Sequence, residues 1–180
     1  MIDSSPRILV IKLRYLGDVL LTTPLFDTLR THFPEVFIAA AVYKGTEDML
    51  TDNPAVNKIF TVEKDSNFLS DLQKQLQLIR EIRKFKFDIV LELTNNDRGA
   101  VLAYTSGAKK RFNYKKKKEN FLHKSILFTD LIEVENNLHI AKKNLEMAKA
   151  LTPSQAVLQG GFSQWLQSTM TGLSRSVSGG

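Results

Sequence analysis

Cysteine is absent from all 180 residues, which excludes disulfides, thiolate nucleophiles and thiolate-held metals. Long apolar runs are absent as well, and no stretch approaches the roughly 20 residues that a bilayer-spanning helix needs. The opening MIDSSPR has neither the basic start nor the apolar run of a secretory signal, so a cytoplasmic chain is predicted. No strand is followed by G-x-G-x-x-G, and no G-x-x-x-x-G-K-[ST] loop occurs, so both common nucleotide-phosphate fingerprints are missing. There is no D-x-D pair of the kind that marks metal-dependent sugar-nucleotide sites, and no G-x-S-x-G nucleophile elbow. His32, His123 and His139 lie far apart with no ligand-like spacing, so neither a metal site nor a cofactor is expected.

What is present is ordinary for a globular protein: 43% apolar and 24% charged residues. The length suits one domain with a proper core, or one domain with an appendage. The net charge of +6 is unevenly spread, because Lys109 to Lys118 (KKRFNYKKKK) carries seven basic residues in ten positions. Such a cluster suits an anionic partner such as nucleic acid, a membrane surface or a phosphorylated substrate; a merely solvated basic loop is the plainer reading.

Along the chain, RILVIKL (7–13) is a nearly continuous apolar run, as expected of a strand covered on both faces. After Gly17, Val19, Leu20, Leu25, Phe26 and Leu29 recur at roughly helical spacing, with Pro34 as a stop. VFIAAAVY (36–43) reads as a second strand, KGTEDMLTDNP as a short helix and NKIFTVE as a third strand. Phe68, Leu69, Leu72, Leu76, Ile79 and Ile82 form the stripe of an amphipathic helix. IVLEL is a fourth strand, AVLAYTSG a short helix closed by Gly107, Arg111 to Tyr114 a fifth strand, and residues 136–151 a final helix. Alternating strands and helices with short joints predict an α/β fold, a parallel sheet with helices on both faces. Ligands of such sheets bind beyond the carboxyl ends of the strands, where Arg14 to Asp18 would lie. After Leu151 the composition turns to Ser, Gly, Gln and Thr without convincing periodicity, so residues 152–180 read as a linker or poorly ordered tail.

Asp18 follows Gly17 where a strand gives way to a helix. An aspartate there is a good N-cap and suits the helix dipole, with Gly17 easing the turn. Capping is the plainer reading of the pattern alone, and a role in taking a proton is the alternative. The residues around it resemble a known family: ILVIKLRYLGDVLLTTPLFDTLRTHFPEVFI is similar to the opening of the glycosyltransferase family 9 heptosyltransferases of lipopolysaccharide core synthesis, and GDVLLTTP most resembles the heptosyltransferase III type. FDIVLELTNNDRGAVLAYTSGAKKRFNY and LHIAKKNLEMAKAL fit in order, so the resemblance spans about residues 7–151.

The resemblance implies a GT-B architecture, two Rossmann-like domains about a cleft, of which residues 1–151 would be the N-terminal, acceptor-side half. It implies metal-independent, inverting transfer of heptose from ADP-heptose to a phosphorylated, membrane-anchored core acceptor, with the protein peripheral to the cytoplasmic face of the inner membrane. The family's Gly-Asp carboxylate, taken as general base, matches Asp18. A sugar hydroxyl is a weak nucleophile, and displacement at an anomeric carbon needs one base to take its proton. Acceptor contacts are expected from Arg14, Gly17, Thr22 and Thr23, and from Lys109, Lys110, Arg111 and Lys115 to Lys118. Thr22 and Thr23 have a plainer role available, bonding back to the helix, and Asn95, Asp97 and Arg98 would be a cleft loop or an ordinary turn.

Family members run to about twice this length, so the C-terminal donor domain is expected to be missing. The expectation is then a truncated or frameshifted product that does not transfer heptose alone, with ADP-heptose a partner only where a donor domain is supplied. The competing class is a basic α/β module binding nucleic acid or an anionic membrane, in which Phe112, Tyr114 and Phe121 would serve as stacking aromatics; nucleic acid is not the expected partner.

Overall fold

The computed structural model describes residues 6–64, 72–115, 126–135, 137–149 and 151. The helical run predicted after Gly17 is instead two helices. Strand β1 (Arg7–Lys12) leads to α1 (Leu16–Leu20) and α2 (Thr23–His32). The break has a local cause. The Thr22 and Thr23 hydroxyls donate to the carbonyls of Val19 and Leu20, and Pro24, lacking an N–H, stands in the first turn of α2.

The chain continues as β2 (Phe37–Tyr43), β3 (Lys58–Val62), α3 (Leu72–Lys84), β4 (Ile89–Glu92), α4 (Asp97–Thr105), β5 (Lys110–Lys115), β6 (Asp130–Glu133) and α5 (Ile140–Lys149). The segment after β2 forms only a single 3-10 turn at Glu47–Met49, and β6 is a strand its composition did not announce. On α3, Leu72 and Leu76 remain 45% and 41% exposed while Ile82 is fully buried, so the apolar stripe is covered only toward its C-terminal end. Phe68, Leu69 and the proposed tail lie outside the described residues.

The sheet has six parallel strands in the order β3-β2-β1-β4-β5-β6. Period-two side-chain alternation on the central strands feeds two cores. Ile8 and Val10 of β1 pack with Val19, Leu25, Phe26 and Met147 on one face; Leu9 and Ile11 pack with Ile82, Ala100 and Ala103 on the other. Each fully buried branched side chain contributes about 1.5–3 kcal/mol of transfer free energy. This is the α/β fold expected from the alternation of elements, and both faces of β1 are covered.

Candidate functional site

The strand order reverses between β1 and β4: successive crossovers run outward through β2 and β3, then return to β4 on the other side of β1. Loops leaving these two strands diverge, and the crevice between them is where open α/β sheets hold ligands. A cleft of about 480 Å³ opens beside it, beyond the carboxyl ends of β1 and β2. Its walls are the β1–α1 turn from Leu13 to Gly17, the end of β2 from Tyr43 to Thr46, Lys64 and Asn96. Three of its described lining residues, Arg14, Lys44 and Lys64, are cationic and none is a carboxylate. Lys44 is paired with Glu63 at 2.9 Å, and the Lys64 ammonium stands 4.8 Å from the Tyr15 ring centroid.

Asp18 sits in the first turn of α1, next to Gly17 on the cleft wall. It does not cap that helix: the N-cap position belongs to Tyr15, which makes no side-chain cap bond. Nor does Gly17 serve a left-handed turn, since the positive-φ glycines are Gly45 and Gly107. Gly17 lies within the helix, and a Cβ there would meet nothing within 4 Å.

Beneath this turn lies a group of buried polar residues that the strand patterns concealed. Lys12 is 2% exposed and donates from Nζ to the Leu93 carbonyl at 3.2 Å. Burial lowers its pKa to about 8, against the upward pull of Asp18 and, more weakly, Glu92; the Arg14 charge lowers it further. Glu92, fully buried at the end of β4, accepts from the Thr94 and Asn95 amides and from Asn113 Nδ2 at 2.8 Å. Thr94 Oγ1 in turn accepts from the Leu13 amide at 2.7 Å, and the Thr94 carbonyl accepts from Arg14 Nη2 at 3.2 Å. One signal for these residues was available in the sequence: a single ionisable residue near the carboxyl end of each of two otherwise apolar strands.

Of the residues expected at the site, Arg14 and Gly17 line the cleft, Asp18 follows Gly17 in α1 without lining it, and Thr22 is fully buried and bonded within the α1–α2 joint. Lys109, Lys110 and Arg111 are placed elsewhere. Lys110 pairs in register with Ile89 and Arg111 with Val90, so Lys109, Lys110 and Arg111 stand at the amino-terminal edge of the sheet, opposite Asp18. Arg111 donates to the Leu127 and Ala108 carbonyls and lies over Tyr104, and Lys110 faces Asp130 at 3.7 Å. Lys115 ends β5 two strands from β1 and is ion-paired with Glu133. Lys116, Lys117 and Lys118 lie outside the described residues. Two of the aromatics are not free platforms: Phe112 is buried, and the Tyr114 hydroxyl donates to the Lys143 carbonyl and Asn144 Oδ1, while Phe121 lies outside the described residues. Burial, then Glu92 and Glu146, push the Tyr114 pKa upward. Among the described residues there is no cluster of three His, Asp or Glu side chains able to hold a metal, and no helix long and apolar enough to cross a membrane.

This sheet, with its crevice at the strand-order reversal, matches the GT-B-like heptosyltransferase fold. A crystal structure of a family 9 glycosyltransferase from Veillonella parvula DSM 2008 superposes with a TM-score of 0.72 at 26% identity, over 83% of this chain and 42% of that one. The Escherichia coli heptosyltransferase WaaC with ADP shares the fold at a TM-score of 0.68 and 17% identity, over 81% of this chain and 47% of that one. More particularly, the chain is 30% identical over 142 residues to the lipopolysaccharide heptosyltransferase 3 of Escherichia coli K12, a match covering 77% of this chain and 40% of that protein. No family model matches the chain. The resemblance to family 9 heptosyltransferases is thus borne out, and the chain spans less than half the length of the curated relatives it matches.

Proposed function

We propose that this chain is the acceptor-binding half of a glycosyltransferase that moves heptose from ADP-heptose onto the lipopolysaccharide core. The observation that carries the reading is the position of Asp18: in the first turn of α1, beyond the carboxyl end of β1, beside a cleft lined with cations and free of carboxylates. In the proposed reaction the acceptor hydroxyl oxygen attacks the anomeric carbon of the heptose. The bond from that carbon to the diphosphate oxygen breaks, its electron pair leaves with ADP, and the hydroxyl proton passes to Asp18. Arg14 and Lys64 face the same cleft and suit a phosphate on the acceptor. Lys109, Lys110 and Arg111, at the opposite edge of the sheet, are not part of this proposal. ADP-heptose would be held by a second half, so the chain alone binds acceptor without turnover.

The test has two arms. The purified chain should bind heptose-containing core oligosaccharide and release no ADP when donor is added; robust ADP release would sink the claim of inactivity. A full-length relative carrying residues 6–151 of this chain in place of its own corresponding half should transfer heptose. In that chimera Asp18→Asn should lower turnover by about 10²–10⁴-fold with acceptor binding retained. Unchanged turnover would remove Asp18 from the chemistry. Among the described residues, the buried Phe112 and the engaged Tyr114 offer no stacking platform for a nucleic acid.

A further inference from the structure

We propose that Glu92 is a positioning residue for the Asp18 turn, acting through Thr94: its buried carboxylate holds the β4–α4 loop in the one shape that lets Thr94 clamp the β1–α1 turn. This rests on the proposed role of Asp18 for its functional meaning, but not for its geometry.

The linkage can be followed bond by bond. The two Glu92 oxygens take the amides of the second and third residues after it, Thr94 at 2.8 Å and Asn95 at 2.9 Å, and are held from β5 by Asn113 Nδ2. Closing so tight a loop puts Asn95 in the left-handed region at φ 58°, where asparagine is among the side chains that tolerate it. Gly99 at the start of α4 completes the enclosure, since a Cβ there would lie 2.4 Å from Glu92 Oε1. The loop so folded turns Thr94 toward β1, where its Oγ1 receives the Leu13 amide and its carbonyl receives Arg14 Nη2. Leu13 and Arg14 open the β1–α1 turn, and Asp18 lies in the first turn of the helix it leads into. A carboxylate in a site with no exposed surface is costly to ionise unless hydrogen-bonded. Among the described residues, Thr94 and Asn95 of the β4–α4 loop and Asn113 of β5 donate to Glu92.

The experiment uses amide exchange on the full chain, followed residue by residue by NMR. Thr94→Val removes the acceptor of the Leu13 amide while keeping the side-chain shape, and should speed exchange at Leu13 on the order of tenfold. Glu92→Gln should produce the same acceleration at Leu13 with exchange at Leu9 and Val10, in the middle of β1, unchanged. The double variant should match Thr94→Val alone, because the two act on one path. Unchanged exchange at Leu13 in Glu92→Gln, additive effects in the double variant, or equal acceleration throughout β1 would each overturn the proposal. If Glu92→Gln fails to fold, Glu92→Asp, which keeps the charge and shortens its reach, is read against the same three criteria. Binding of isolated phosphorylated core oligosaccharide is measured in parallel. Local acceleration at Leu13 with no binding even by the unaltered chain would leave the positioning role standing and overturn the proposed function.

Discussion

Asn144, on the last helix, donates from Nδ2 to the carbonyl of Leu21, 2.9 Å away and 123 residues earlier in the chain. Leu21 occupies the joint between α1 and α2, so a buried amide on α5 braces the end of the short helix that carries Asp18. Tyr114 contacts the Oδ1 of the same side chain through its hydroxyl. Replacing Asn144 with leucine keeps the approximate volume and leaves both groups without this partner. Urea denaturation should show a loss of about 1–3 kcal/mol, the usual cost of stranding a buried polar group. A neutral result would mean that the joint repacks without the brace.

Lys12 gives the protein a signature in alkaline solution. Its folded-state pKa of about 8 lies below the unfolded value of 10.5, so between these two values the unfolded chain holds more protons. Stability therefore rises with pH through this window, and the burden of a charged Lys12 is fully present below pH 8. The distance between the two values corresponds to about 3 kcal/mol. The unfolding free energy of the native chain minus that of Lys12→Met should climb by about this amount from pH 8 to pH 10.5. A flat difference would show that Lys12 is not desolvated.

Gly99→Ala reverses the ordinary rule for helices. In an exposed helix interior the change gains up to about 1 kcal/mol. Here the new methyl would stand 2.4 Å from Glu92 Oε1 and 2.9 Å from its Cδ, against a carboxylate fixed by three hydrogen bonds. A destabilisation of about 1–3 kcal/mol is expected, read from the denaturation midpoint. Added stability would mean that the Glu92 carboxylate moves freely.

Arg14 and Lys64 should matter to acceptor binding in a way that Lys110 does not. Calorimetry with a phosphorylated core oligosaccharide should show about tenfold weaker binding for Arg14→Ala or Lys64→Ala, the loss of one charge-assisted contact. Lys110→Ala should bind normally, because Lys110 stands at the far edge of the sheet beside Asp130. The reverse pattern would move the acceptor phosphate to the basic segment.

Much of the architecture was legible from local signals. The unbroken apolar runs of β1 and β2 announce strands covered on both faces, and strand–helix alternation leads to a parallel sheet. Asp18 stood out because it follows a glycine just after a strand, and its neighbours resemble a known opening. Other features depend on contacts between distant segments. Seven basic residues in ten read as one cluster along the chain, but β5 is extended, and its length carries Lys110 and Lys115 to opposite edges of the sheet. Helix periodicity passed unbroken through Leu21 because hydroxyl-to-carbonyl bonds at Thr22 and Thr23 leave no trace in hydrophobic spacing. The sequence by itself determined that a carboxylate would stand at the carboxyl end of β1. Only tertiary structure could decide that Lys12 lies buried near it, or that Glu92 is linked through Thr94 to Leu13 and Arg14. Those relations depend on β1 and β4 becoming neighbours across some 80 residues, and pairing at that distance has no local code.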